Sequence, residues 1–545
     1  MKQIKLWVFA AILIISGTNR AWAQSAINDI PAEIDANDAT ITSMEHVTVT
    51  MKREVVYDSI THCSDTIVSV ENIEYNTDVG TAKKRMSRRT AVAGSDFYDK
   101  ETSWYFDFWR FNYKYPSINA DGEPILLSSQ ACMPDDNCDY VNNVIIGCHV
   151  TITSDKECPT NYSSNGSVDR LKTDVNFLQN FAGSGRWGSE ETEPALYNLV
   201  ILPDYEGYGI TKNNAHPYLY QELTARQVVD AARYGIQLYN TSEKVSEVRH
   251  SFRDTWRTIC LGYSQGGSVT LATQRFIEQN GLTDELRLAG SICGDGPYDL
   301  LATLMYYVGN DLEGKQMSMP VVLPLILKGM CDCNPYMKSH QVSDYLSEHF
   351  LETGIIDWIA AKEKTTDDIT DAWEKLYKEG KNGNTNYYKD VLTEDGKAKL
   401  INILKPEGYT YFKNLYNANK DTYTSAAGIP LPTHRGLMED LHFALESNNM
   451  TMGWQPQHPI FLYHSYNDTV VPEKNRERAG NTLSDWVIKI KGSGEDHVAE
   501  ARHFFFFDDN KVDYCIRQLS GFNIHPTVDD VSTMRNNLWS DYKDY

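Results

Sequence analysis

Along the chain, apolar and polar residues follow two rhythms, and the points where one gives way to the other mark its parts. Two-residue alternation or a short unbroken apolar run marks a strand, and apolar residues three and four apart mark a helix. Residues 47–56 and 67–73 alternate as strands do. Residues 104–115 form an aromatic strand, Asn119-Ala120-Asp121-Gly122 supplies a hairpin turn, and residues 124–131 return as a second strand. Apolar strands follow at 141–153 and 197–203, then a helix at 223–239 with Val228, Val229, Ala232 and Ile236 on one face. A short apolar strand at 258–261, a helix at 267–280 and a strand at 287–293 continue the alternation. Strands separated by helices in this way predict an α/β fold with a mostly parallel sheet covered on both faces. The two aromatic strands suit its antiparallel edge.

The rhythm changes after this. Amphipathic helical segments around Leu323, Tyr345, Trp358 and Trp373, joined by polar linkers such as 380–384, fill residues 300–457 without any repeated unit. Strands then resume at 459–464 and 485–490, followed by a helical tail at 504–519. The expected organisation is an N-terminal extension of unknown role at 24–102, a first core segment at 103–299, a helical insertion at 300–457 and a second core segment at 458–545. The extension, with its basic run from Lys83 to Arg89, reads as a pro-segment or as an arm on the main domain.

The first residues change where the protein is expected to act. Lys2 and Lys5 precede an apolar stretch at 6–16, and Ala21-Trp22-Ala23 is a small-residue cleavage site. Residues 1–23 therefore read as a signal peptide, and the mature chain is expected in the periplasm or outside the cell. No later run of about eighteen apolar residues predicts a membrane span. The formal charge of −23 argues against nucleic acid and against an anionic membrane surface as partners. All ten cysteines follow the leader, where disulfides are permitted. Cys132 and Cys138 flank a polar turn and are candidates to close a small loop, and Cys331 and Cys333 for structural pairing. Cys148, Cys260 and Cys293 sit in apolar strand patterns and read as buried thiols.

The candidate chemistry centres on Gly262-Tyr263-Ser264-Gln265-Gly266-Gly267, between the strand at 258–261 and the helix at 267–280. A serine on so tight a turn stands clear of the sheet at a helix amino terminus, whose N–H groups and dipole suit a developing oxyanion. Glycines on either side allow the backbone to approach its neighbours. A serine hydroxyl needs a base to attack at neutral pH, and the base needs an acid to orient it. Asp468, in Asn467-Asp468-Thr469-Val470-Val471-Pro472 just past the strand at 459–464, is the candidate acid, with Asp496 as the alternative. His497, after the next strand, is the candidate histidine, with His503 as the alternative. His464 reads as a strand-end packing residue.

These residues resemble the α/β-hydrolase superfamily, in which Gly-x-Ser-x-Gly is the nucleophile elbow and the order is serine, acid, histidine. With Pro203-Asp204-Tyr205-Glu206-Gly207-Tyr208-Gly209 and His216-Pro217-Tyr218-Leu219, the chain is similar to exported bacterial hydrolases related to fungal secretory lipases. The resemblance covers residues 104–295 and 459–519. It implies an α/β-hydrolase fold with a helical cap and a serine esterase or lipase acting through an acyl-enzyme. It implies no metal or organic cofactor, and a small-molecule, glycan or lipid ester as substrate. It places one oxyanion donor at the N–H of Gln265 and shifts the second toward Asp204, away from the loop that begins Gly147-Cys148-His149. His149, Tyr205 and Tyr263 become candidates to line the site, with a structural role as the alternative for His149; the insertion aromatics Tyr345, Trp358, Trp373, Tyr387 and Tyr388 either line an apolar or sugar-binding pocket or simply pack. A prolyl-oligopeptidase-like serine peptidase and a non-catalytic binding protein on the same fold are the competing readings.

Overall fold

The computed structural model describes residues 26–57, 64–76, 101–135, 138–161, 178–179, 181–182, 196–315, 317–425, 428–505 and 511–543. The expected leader, Cys63 and the basic run at 83–89 lie outside these residues. The strands are β1 (Thr40–Tyr57), β2 (Ser64–Asn76), β3 (Glu101–Ile118), β4 (Pro124–Pro134), β5 (Val141–Cys148), β6 (Asn198–Pro203), β7 (Phe252–Tyr263), β8 (Leu288–Gly294), β9 (Ser318–Met319), β10 (Ala398–Lys399), β11 (Ile460–His464) and β12 (Val487–Lys491). Ten of them form one sheet in the order β12-β11-β8-β7-β5-β6-β4-β3-β1-β2. β6, β5, β7, β8, β11 and β12 run parallel, and β4, β3, β1 and β2 continue the sheet antiparallel.

The parallel strands read as continuous apolar runs because both faces are covered; every residue of β6, β8 and β11 is buried. One face packs under α1 (Gln221–Thr241) and α2 (Gln265–Gln279), through side chains such as Val228, Val229, Val269 and Phe276. On the other face Ile145, Ile259, Leu261 and Phe461 pack with Phe504, Cys515 and Ile516 of the tail. The described strands of the N-terminal extension, β1 and β2, belong to this sheet. β1 pairs with β3 along most of its length, and residues 27–34 lie along α1, where Arg226 and Gln237 donate to the main-chain carbonyls of Ile27, Asp29 and Ile34.

The insertion is helical, with α3 (Leu300–Leu312), α4 (Val322–Cys333), α5 (Pro406–Asn419) and α6 (Leu437–Ser447) among its elements. A two-residue ladder between β9 and β10 and a few isolated bridges, such as Leu346 with Leu404, interrupt the helices. It has its own apolar core, in which Tyr345, Trp373 and Tyr388 are buried and Trp358 and Tyr387 pack at the margin. Two cysteine expectations are corrected: no disulfide joins Cys132 to Cys138, or Cys331 to Cys333. The latter two are buried thiols within α4, as Cys148, Cys260 and Cys293 are in the sheet.

Candidate active site

Four parallel strands, β7, β8, β11 and β12, end on the same edge of the sheet, and the candidate residues gather just beyond them, where α/β sheets bind ligands. β7 leads into Ser264, whose φ of 57° and ψ of −123° are strained for a residue with a side chain. The strain is held in place from three sides. The Ser264 N–H donates to Gly294 O at 2.9 Å, at the end of β8. A Cβ on Gly262 would lie 2.5 Å from Cys148 O, and one on Gly266 would run into the same carbonyl. Glycine at both positions lets α2 seat against the end of β5.

His497 is the first residue of α7 (His497–Phe505), one position closer to the helix than a loop placement implies. Its Nε2 lies 2.8 Å from Ser264 Oγ, and its Nδ1 lies 2.5 Å from Asp468 Oδ2. Asp468 Oδ1 accepts the N–H groups of Val470 and Val471, each at 2.8 Å, so the apolar Val-Val step locks the carboxylate. An acceptor facing Nδ1 puts the neutral ring's proton there and leaves Nε2 to accept from the serine hydroxyl. Burial opposes charge on His497, but Asp468, Asp295 and Asp496 outweigh it and raise its pKa above the ordinary histidine value. The alternatives stand elsewhere. Asp496 accepts the Val498 N–H at 3.0 Å and caps α7, and His503 lies later in that helix.

The loop leading into His497 is held by a residue that no motif in the sequence singles out. Glu500, fully buried, accepts the N–H groups of Ser493, Gly494 and Glu495 at 2.6, 3.1 and 2.9 Å, the Ser493 hydroxyl at 2.5 Å and the Tyr463 hydroxyl. These donors outweigh the cost of burial and lower its pKa.

Gln265 opens α2, where a first-turn N–H has no acceptor within the helix. Asp204 differs from its expected role as a donor. Its N–H is engaged by Ser128 O at 3.1 Å. Its carboxylate takes Ser128 Oγ and Thr160 Oγ1, each at 2.5 Å, and the Thr160 N–H at 2.8 Å. Burial raises its pKa to about 6 against these bonds. Asp204 thus ties β4 and residue 160 to the end of β6. Tyr205, with φ of 64°, stacks on His149 at 4.0 Å between centroids. His149 donates from Nδ1 to Val150 O at 2.7 Å, and burial lowers its pKa to about 4. His216, known from the sequence only as part of a motif, donates from Nδ1 to Glu206 O at 2.7 Å and faces the Gln265 amide at 3.2 Å. Burial keeps it neutral, with a pKa of about 3. Tyr263 donates its hydroxyl to Asp295 Oδ2 at 2.6 Å, behind the site.

A cavity opens at Ser264 and runs into the insertion. Leu300, Leu304 and Tyr307 of α3, Val470 and Val471 of the acid loop, Ile326 and Leu327 of α4, Phe412 of α5, and Leu441 and Leu445 of α6 line it. The five insertion aromatics named from the sequence are absent from its walls and pack in the insertion's own core.

No family model matches the chain, and no curated protein is similar to it in sequence. Solved structures are similar in fold. A mutant of the rice cell wall degrading esterase LipA from Xanthomonas oryzae superposes with a TM-score of 0.50 at 19% identity, over 76% of this chain and 91% of that one. A ligand-bound form of LipA gives 0.50 at 17% identity over 88% and 96%. The chain has the α/β-hydrolase fold. A protein from Legionella pneumophila gives 0.50 at 18% identity, over 76% of this chain and 89% of that one. Within the α/β-hydrolase fold, Ser264 occupies the turn between the elbow strand β7 and the helix α2.

Proposed function

We propose that this chain is a serine hydrolase that cleaves carboxylic esters through an acyl-enzyme intermediate. The observation that carries the reading is the line from Ser264 Oγ to His497 Nε2 at 2.8 Å and from His497 Nδ1 to Asp468 Oδ2 at 2.5 Å, at the strained elbow. Ser264 Oγ attacks the ester carbonyl while His497 Nε2 takes the hydroxyl proton. Asp468 keeps the ring oriented and offsets the charge of the imidazolium. The oxyanion forms beside the amino end of α2, where the Gln265 N–H is one donor. His497 then returns the proton to the departing alcohol, and a water repeats the sequence to release the acid and free Ser264.

The cavity supports an apolar acyl group. Its walls are nearly all aliphatic or aromatic, and it starts at the nucleophile, so a chain attached to the carbonyl carbon has an apolar path into the insertion. The LipA neighbours, named as rice cell wall degrading esterases, agree with ester chemistry on this fold. Export by residues 1–23 is part of the proposal, and no helix among the described residues is long and apolar enough to cross a membrane. The test is a panel of p-nitrophenyl esters from acetate to dodecanoate beside dipeptide anilides. Esters cleaved with a preference for medium over acetyl chains support the reading, and cleavage of the anilides with the esters untouched contradicts it.

A further inference from the structure

Behind the Ser264–His497–Asp468 line lies a second buried carboxylate that the proposed mechanism does not use. Asp295 follows β8 directly, is fully buried, and adopts a φ of 35° that is strained for a residue with a side chain. It meets all three segments that carry the line. Its Oδ2 accepts the hydroxyl of Tyr263, the residue before Ser264, at 2.6 Å. That hydroxyl also lies 2.8 Å from the main-chain carbonyl of His497. Asp295 Oδ1 accepts the N–H of Ser465, which opens the acid loop, at 3.0 Å. Its own N–H donates to Tyr463 O in β11 at 3.1 Å. The acid loop is tied in turn to the histidine loop, by Ser465 Oγ to Glu495 O and Asn467 Nδ2 to Gly494 O, each at 2.5 Å.

The charge of Asp295 also needs a neighbour. His464 Nδ1 lies 2.7 Å from Asp295 Oδ1 but outside hydrogen-bond alignment, and its Nε2 has no partner among the described residues. One side-chain nitrogen or oxygen from each of Asp295, His464 and Asp468 lies within 4.8 Å of the other two. Two carboxylates so close in a dry site are costly unless cationic or strongly donating groups sit between them. The imidazolium formed on His497 during turnover is the group placed to do this, and the His464 ring lies against the Asp295 carboxylate. His464, which reads from the sequence as strand-end packing, stands here as the counterpart of Asp295.

We propose that Asp295 is a positioning residue for the ester-hydrolase reaction, holding the acid loop and the His497 backbone in register with Ser264 and adding negative charge behind the His497 ring. The proposal rests on the function proposed above. The titratable groups around His497 are Asp468 on the acid loop, Tyr263, Asp295 and His464 at the strand ends, and Asp496 and Glu500 on its own segment. Of these, Asp295 and Tyr263 separate charge from the bridge to His497, because Asp295→Asn removes the charge together with one of two acceptors and Tyr263→Phe removes the bridge while keeping the charge.

The experiment measures kcat and KM for p-nitrophenyl butyrate from pH 5 to 9 in wild type, Asp295→Asn and Tyr263→Phe. In Asp295→Asn, kcat is expected to fall by up to about 10²-fold, through loss of alignment, with KM little changed. The acid limb of its kcat/KM profile should move to lower pH by roughly one unit, because a nearby negative charge has gone. Tyr263→Phe should lose kcat with its acid limb unmoved. Wild-type kcat in Asp295→Asn overturns the positioning role, and a loss of kcat with an unmoved acid limb overturns the electrostatic role. If Asp295→Asn fails to fold, Tyr263→Phe still decides the bridge, and an unchanged kcat there overturns it. A wild-type protein inert toward the ester overturns the underlying reading instead, and this proposal with it.

Discussion

In the proposed reaction Ser264 is the nucleophile, and its environment sets three expectations. Ser264→Ala is expected to lower kcat by at least ~10³-fold, because the remaining oxyanion donors and binding groups act on an attacking water alone. The histidine must be neutral to accept the serine proton. Since Asp468, Asp295 and Asp496 overcome burial and raise the pKa of His497, the acid limb of kcat/KM should lie above the ordinary histidine value of about 6.5. A limb at or below that value in a pH–rate profile contradicts the electrostatics described here. Gly266→Ala tests the elbow. Its new methyl would meet Cys148 O, a main-chain atom that cannot swing aside, so a loss of about 1–3 kcal/mol in denaturant unfolding is expected, with lowered activity. The elbow was legible in the sequence because its requirements are local: glycine, serine and glycine within five residues, after a strand and before a helix. The engagement of Asp204 was not. It depends on Ser128 and Thr160, 76 and 44 residues away in the chain, and nothing in Asp204-Tyr205-Glu206-Gly207 reveals those partners.

At the scale of elements, the parallel strands place the groups and the loops beyond them hold the angles. The order of strands in sequence nominated Asp468 and His497, and β11 and β12 bring both to the edge at which β7 presents Ser264. Asp295 escaped notice because its meaning comes from the order of strands in space. β8 lies between β7 and β11, so a carboxylate at its end faces both neighbours. An acid directly past the strand beside the elbow strand was the available signal. The histidine loop adds a testable dependence on pH. Glu500 receives three main-chain N–H groups from residues 493–495, and its pKa is lowered by them. A depressed folded-state value means that this stabilisation is complete above the ordinary glutamate value of about 4.3 and is lost as pH falls through the lower folded value. Glu500→Gln should therefore lower the melting temperature at pH 7 more than at pH 3, by an amount equivalent to about 2 kcal/mol at the higher pH. Equal losses at both pH values would show that the charge is irrelevant.

For the whole molecule, the insertion at 300–457 lines the cavity that opens at Ser264 and, on the proposed function, selects the acyl chain. Its helical character was readable from amphipathic spacing, but its pocket was not. The conspicuous aromatics Tyr345, Trp358, Trp373, Tyr387 and Tyr388 build the insertion's own core, while aliphatic positions of α4 and α6 face the cavity. Helical periodicity shows that a face is apolar without showing whether it meets another helix or a void. Ile326→Trp should fill the cavity and lower kcat/KM for dodecanoate esters roughly 10- to 200-fold, with acetate esters little affected. A uniform loss across chain lengths would place the acyl chain elsewhere. The most direct measurement of the central claim is peptide mapping by mass spectrometry after treatment with a fluorophosphonate. The account predicts one adduct, on the peptide containing Ser264, absent from Ser264→Ala and formed far more slowly in His497→Ala. An adduct on another serine, or equal labelling of Ser264→Ala, would contradict it.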